Sequence, residues 1–171
     1  MVKILGINAY HADAAASLII DGKIINSAEE ERFTRIKHCA GFPVKAIDWC
    51  LNDANIQLKD LDHISINTNP KAHIIKKFAY VVRRKPNPLF ILDRLINKRE
   101  RVNLKKVFKE NFGNQIIKAK FHFVEHHKCH LASAFFASSF NNALVISVDG
   151  FGDFASCAVG IGNNNTLSIL D

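Results

Sequence analysis

The sequence predicts an α/β fold, and three observations carry the prediction. Three short apolar runs open the chain, broken by a polar loop and then by Asp21-Gly22. A proline-led amphipathic stretch follows, and an alternating apolar run comes after it. Near residue 143 the opening pattern starts again: an apolar run, a polar turn with Asp and Gly, and a second run.

Taken in order, residues 2–7 (VKILGI) and 14–20 (AAASLII) read as the first two strands, joined by the polar loop Asn8–Asp13. Asp21-Gly22 suits a two-residue hairpin, since glycine tolerates positive φ, and residues 23–29 (KIINSAE) return as the third strand. Pro43 then leads Val44–Asn55, where Val44, Ile47, Trp49, Cys50, Leu51 and Ala54 are spaced for one helix face. His63–Asn67 alternates as a strand. Residues 72–84, 89–99 and 102–112 have helical character, with Lys85-Pro86-Asn87-Pro88 as a break. A strand at 121–124, a helix at 127–140 and a buried strand at 143–148 come next. The glycine-rich turn Asp149–Asp153 and strands at 154–161 and 166–170 complete the reading. No close residue-by-residue repeat accompanies the recurring pattern. Because that second opening has only begun at Asp171, the expectation is an N-terminal part of a longer protein.

Composition excludes several classes. Of 171 residues, 48% are hydrophobic, too many for a disordered chain. No window approaches the roughly 18 uncharged apolar residues of a membrane helix. The start lacks the basic region, apolar run and cleavage site of a secretory signal, so a cytoplasmic protein is expected. The four cysteines, at 39, 50, 129 and 157, form neither CxxC pairs nor a close cluster, which reads as free thiols in a reducing compartment. The net charge of +7 is uneven. Between Lys71 and Lys109, thirteen Lys and Arg face only Asp93 and Glu100, a net +11 that leaves −4 elsewhere. Such a segment suits nucleic acid, an acidic membrane surface or a phosphorylated ligand, and equally a solvated helical face.

Four stretches are candidates for chemistry. The loop from Gly6 to Ala15 carries Asn8, His11 and Asp13, and a polar turn between core strands can offer amides and short side chains to a phosphate. It matches neither the dinucleotide fingerprint nor the GxxxxGK[ST] loop, and a plain hairpin loop explains it as well. The run Glu29–His38 passes from three acids to Arg35, Lys37 and His38. Cations just past a strand end can neutralise phosphate or polarise a carbonyl, although most such runs are solvated surface.

The third stretch, Val124–His130, is sharper. On a helix His126 and His130 lie one turn apart on one face and can share a cation. His127 points about 100° away, toward a substrate or a ligating residue. A helix start with exposed histidines is the plain alternative. In the fourth stretch, Asp149 ends a buried strand and is followed by Gly150 and Gly152, where backbone can approach a ligand closely. Two histidines and one carboxylate suit a divalent ion such as iron(II). Asp153 has the simpler expected role of capping the turn.

These stretches, GINAYHADAAASLIIDGKIINSAEEERFTRIKH, EHHKCHLASAFFASSF and ALVISVDGFGD, resemble in order the N-terminal domain of the NodU/CmcH-type O-carbamoyltransferases. The resemblance spans nearly the whole chain and is weakest over 71–120. It implies an actin-like ATPase (ribonuclease-H-like) fold of the Kae1 type. The first lobe would occupy residues 1–142, with a basic helical insertion at about 71–120, and 143–171 would begin a second lobe. It implies transfer of a carbamoyl group from carbamoyl adenylate, made from carbamoyl phosphate and ATP, to a hydroxyl of a small-molecule or sugar acceptor. His126, His130 and Asp149 match metal-binding positions of the family, and His11 and Lys37 match positions near the carbamoyl group. Asn8, Asp13, Arg35, His38, His127, Gly150 and Gly152 are the expected nucleotide- or carbamoyl-binding residues. The rest of the second lobe and a YrdC-like domain are expected partners, and neither a membrane nor nucleic acid is. Alone, the chain is expected to be inactive. The rivals are a tRNA threonylcarbamoyl-transfer protein of the same fold, whose RNA the +11 segment would hold, and a non-catalytic fragment or partner-binding module.

Overall fold

The structure is a computed structural model that describes residues 1–84, 86–87 and 103–170. The chain forms two compact units, Met1–Asn67 with Asp93–Phe123, and Thr68–Leu92 with Val124–Asp171. The helix expected over 89–99 lies outside the described residues.

In the first unit, β1 (Lys3–Asn8), β2 (Ala15–Ile20) and β3 (Lys23–Glu29) form an antiparallel meander. Asp21 and Gly22 both have positive φ, 48° and 80°, the geometry that closes a two-residue hairpin with the right twist. Next come a short helix α1 (Glu31–Thr34) and α2 (Val44–Asp53), then β4 (His63–Ile66), parallel to β1. After β4 the chain leaves this unit through α3 (Ile74–Arg84) and re-enters it with α4 (Leu104–Phe112) and β5 (Lys120–Phe123), parallel to β4. The strand order is β3-β2-β1-β4-β5.

Alternation sets the faces of this sheet. Leu5 and Ile7 of β1, Ala16 and Leu18 of β2, and Ile64 and Ile66 of β4 are buried in one core with Ala46, Ile47, Cys50 and Leu51 of α2. Phe108 of α4 is fully buried in the same core, edge-on to Phe42 at 5.1 Å between ring centroids. Each such side chain contributes about 1.5–3 kcal/mol by leaving water.

Both ends of α2 are tied to β3 or the residue after it. Asn26 donates from Nδ2 to the Cys50 carbonyl at 3.0 Å and to the Asp53 carboxylate at 2.8 Å. Glu30 is buried, and its carboxylate accepts from the amides of Lys45 and Ala46 at 3.2 and 2.8 Å. An anion there satisfies two orphan amides and the positive end of the helix dipole. Glu30→Ala is expected to cost about 1–2 kcal/mol in denaturant unfolding of the chain, while Glu29→Ala stays within about 0.5 kcal/mol. Equal effects at the two positions would refute the capping role.

The second unit holds α3, the helix α5 (His126–Phe136) and the antiparallel sheet β6 (Asn142–Gly152), β7 (Ala155–Asn163) and β8 (Thr166–Leu170). Leu131 and Phe135 of α5 pack with Val145 of β6. Gly162 of β7 makes room for this seat, since a Cβ there would lie 2.4 Å from the Phe135 ring. The turn expected at 149–153 is instead mostly strand. β6 runs to Gly152, and an irregularity between Val148 and Gly152 takes up the extra residues. The helix expected to reach Phe140 stops at Phe136.

Candidate functional site

The N-terminus of α5 is built by two carboxylates. Glu125 caps it, accepting from the amides of His127 and Lys128 at 3.0 and 2.7 Å. Asp153 accepts the amide of His126 at 3.1 Å, and also binds the Thr68 hydroxyl at 3.0 Å and the Asn69 amide at 2.7 Å. Asp153 thus pins the first residue of α5 to the 68–69 segment, a larger role than capping its own turn. Nothing in the sequence links positions 68 and 153; only tertiary structure brings them together.

On this fixed start, His126 and His130 share a face, and their Nε2 atoms lie 3.1 Å apart. Asp149, at the irregular end of β6, places Oδ2 2.8 Å from His126 Nε2 and 3.3 Å from His130 Nε2. Two imidazole N–H groups cannot both aim at one oxygen and at each other. One cation in place of the protons satisfies all three donors. At metal–ligand distances of about 2.0–2.2 Å, neighbouring donors stand about 2.9–3.5 Å apart, which the observed separations match to about 0.1 Å. The donor set fits a borderline divalent ion. His126 is 8% exposed, His130 48% and Asp149 43%, so the cluster is walled on one side and open on the other.

Asp149 is held ionised down to a pKa of about 2, first by its hydrogen bond to His126 and next by the Gly150 amide. It therefore remains an anionic donor throughout the neutral range. Cys129 lies between the two histidines in sequence, but burial and the nearby Glu125 push its thiol up to about 12, so no thiolate is on offer. None of the four cysteines is in a disulfide.

Two residues near this cluster differ from the expected ligand contacts. His127 is fully buried; its Nδ1 lies 2.9 Å from the Ser147 hydroxyl and its Nε2 3.0 Å from the Ala155 carbonyl. A carbonyl only accepts, so Nε2 carries the proton and Nδ1 accepts from Ser147. Both ring nitrogens are thereby spent on holding α5 to the sheet, and neither faces a ligand. Gly152 lies under His126, where a Cβ would come within 2.1 Å of the imidazole. Its missing side chain makes room for a ligating ring. Around Gly150 a Cβ would meet open space.

The other candidates lie in the first unit, on two loops laced together. Tyr10 donates its amide to the Gly41 carbonyl and Ala14 donates to that of Cys39, both at 2.9 Å. The His38 ring meets the Asp13 carboxylate at 2.9 Å, and the His38 amide donates to Glu31 at 3.1 Å. The loop carrying His11 and the segment carrying Lys37 are therefore one structure. Asn8 shapes it, donating from Nδ2 to the Asp13 carbonyl at 2.8 Å and accepting from Asn67 at 2.7 Å. Arg35, at φ 61°, ends α1 in the left-handed region, and both Arg35 and Lys37 are exposed.

A family model described as Carbamoyltransferase N-terminus matches residues 3–170. The chain belongs to this carbamoyltransferase family. An uncharacterized protein of Synechocystis sp. is 38% identical over 98% of the chain and 28% of its own length. Nodulation protein NolNO of Sinorhizobium fredii is 32% identical over 95% of the chain and 23% of that protein. An uncharacterized protein of Methanocaldococcus jannaschii is 36% identical over 98% and 26% respectively. The chain thus spans about a quarter of the length of these relatives. Among solved structures, YeaZ from Pseudomonas aeruginosa superposes with a TM-score of 0.51 at 10% identity, over the whole chain and 65% of YeaZ. That likeness shows the fold, the actin-like ATPase fold. This chain carries it as the five-stranded sheet of the first unit and the strands that follow α5.

Proposed function

We propose that this chain is the N-terminal part of an O-carbamoyltransferase that moves a carbamoyl group from carbamoyl adenylate to a hydroxyl of a small-molecule or sugar acceptor. Carbamoyl phosphate and ATP supply the adenylate, and the remaining second lobe and a YrdC-like domain complete the machinery. Its compartment is the cytoplasm, in keeping with the free thiols. The observation that carries the reading is the convergence of His126, His130 and Asp149 on one point, in a chain matched by the carbamoyltransferase family model over residues 3–170.

His126, His130 and Asp149 would hold a divalent ion, iron(II) being the expected one. When bound, the ion supplies positive charge to stabilise the departing adenylate phosphate. Lys37 would supply an ammonium to offset the negative charge that gathers on the carbamoyl oxygen during transfer. His11 takes part in removing the proton of the acceptor hydroxyl. Asn8 fixes the loop that carries His11, and Asp13 with His38 ties that loop to the Lys37 segment. Arg35 adds a further cation for phosphate. The 171-residue chain alone is not expected to turn over.

The test is anaerobic equilibrium dialysis of the chain against iron(II). One ion per chain is expected to be retained. Asp149→Asn keeps the shape but removes the charge, and is expected to weaken retention by about 10–100-fold. A chain that holds no ion, or one whose retention Asp149→Asn leaves unchanged, would overturn the reading.

A further inference from the structure

Thr68 and Asn69 lie in none of the stretches assigned to the site, yet they end on a carboxylate that also holds the start of α5. We propose that Asp153 is a positioning residue for the metal-binding His126, and that through it metal occupancy is coupled to the order of the 68–69 segment. The inference rests on the metal reading above and extends it to residues that touch no ion.

Asp153 offers two oxygens to three donors. Its Oδ2 accepts the Asn69 amide at 2.7 Å and the His126 amide at 3.1 Å, and its Oδ1 accepts the Thr68 hydroxyl at 3.0 Å. All four residues belong to the second compact unit. The three bonds are partly buried, and an amide withdrawn from water without an acceptor is costly. Two amides on one oxygen therefore constrain each other's place. His126 is the first residue of α5, so its amide is one that the helix cannot satisfy internally. Glu125 takes the amides of His127 and Lys128, whereas that of the ligating residue itself goes to Asp153. The His126 ring hangs from this backbone, 8% exposed, with Nε2 2.8 Å from Asp149. A shift of the first residue of α5 would carry the ring away from the other two donors.

The turn that carries Asp153 holds the same arm of chain at a second point. Asp153 and Phe154 both have left-handed φ, 48° and 74°, and they join the paired residues Gly152 and Ala155. Glycine fills the second position of such a turn without strain, and a bulky aromatic residue does not. Phe154 there brings its ring edge-on to Tyr80 of α3, at 5.6 Å. Asp153 thus grips the arm at 68–69 and Phe154 grips it at residue 80. Charge is the rival explanation, since an anionic Asp153 would also favour a nearby cation. Asparagine separates the two. It keeps one oxygen for both amides and can turn its NH2 toward the Thr68 hydroxyl, which accepts as well as donates.

The experiment is anaerobic dialysis of the 171-residue chain against iron(II), with thermal melts of the same samples. Asp153→Ala is expected to lower retention about 10–100-fold, and Thr68→Val about fivefold. Asp153→Asn is expected to restore most of what Asp153→Ala loses. Coupling is reciprocal, so hydrogen exchange gives a readout that a purely structural role would not move. In the parent, saturating iron(II) is expected to slow exchange of the Asn69 amide at least about fivefold, and in Asp153→Ala to leave it unchanged. Thr68→Val and the exchange measurement on the parent carry the test where Asp153→Ala does not fold. Three results would overturn the proposal: parent-like retention in Asp153→Ala; a loss in Asp153→Asn as large as in Asp153→Ala; or an Asn69 amide whose exchange ignores the ion. A parent that holds no ion, or an Asp149→Asn variant that holds it undiminished, would instead remove the metal reading and this inference with it.

Discussion

Replacing His126 with alanine is expected to abolish metal retention by the chain and carbamoyl transfer by the full-length protein. His126 is the buried member of the cluster and touches both of the others, at 2.8 Å to Asp149 and 3.1 Å to His130. Without it, the two remaining donors are about half exposed and 3.3 Å apart, and no buried imidazole joins them. Affinity is expected to fall by at least about 100-fold, more than for loss of a supporting hydrogen bond. Stability should fall much less. The α5 start keeps Glu125 and Asp153 as caps, and His127, Leu131 and Phe135 still seat the helix. Dialysis against iron(II) and a thermal melt, run on the same sample, separate the two effects. Retained ion and retained transfer in His126→Ala would remove the metal assignment. A lost ion with intact transfer would leave the cluster real but outside the reaction.

Much of this arrangement is legible in the sequence, for identifiable reasons. Strands β1 to β3 are marked by short apolar runs and by Asp21-Gly22, both local signals. The shared face of His126 and His130 follows from helical spacing alone. The rest depends on contacts between distant positions. Glu30 reads as the middle of an acidic run, a typical solvated surface, yet it is buried because α2 docks its N-terminus there. Asp153 reads as a turn residue, yet it binds groups 84 and 85 positions away. His127 resembles its neighbours in type, but a rotation of about 100° sends it into the sheet rather than toward the cluster. Glycine patterns are ambiguous in the same way. Gly150 and Gly152 both suggest room for a ligand, and the structure separates them, one beside open space and one beneath an imidazole.

That separation makes Gly152 the more informative substitution. Gly152→Ala is expected to reduce metal retention about 10–100-fold, although residue 152 offers no ligating atom. An added Cβ would lie 2.1 Å from His126 Cδ2, 2.3 Å from Cγ and 2.7 Å from Nε2. Those are contacts with the body of a ring, not with the tip of a flexible chain. The ring cannot swing clear without leaving Asp149, and β6 cannot retreat without disturbing its pairing with Ala155. Overpacking of this kind costs about 1–3 kcal/mol. Gly150→Ala adds the same methyl two residues earlier, where nothing lies within 4 Å, and should leave both metal retention and the melt near the parent values. The pair isolates sterics from backbone flexibility, since both replace glycine by alanine in one short segment. If Gly150→Ala proved the more damaging, ligand approach at 150 rather than support of His126 would be the function of these glycines. If neither moved metal retention, the seat drawn here for His126 would be wrong. A Gly152→Ala variant that loses the ion while keeping most of its stability would show that the missing side chain positions the imidazole.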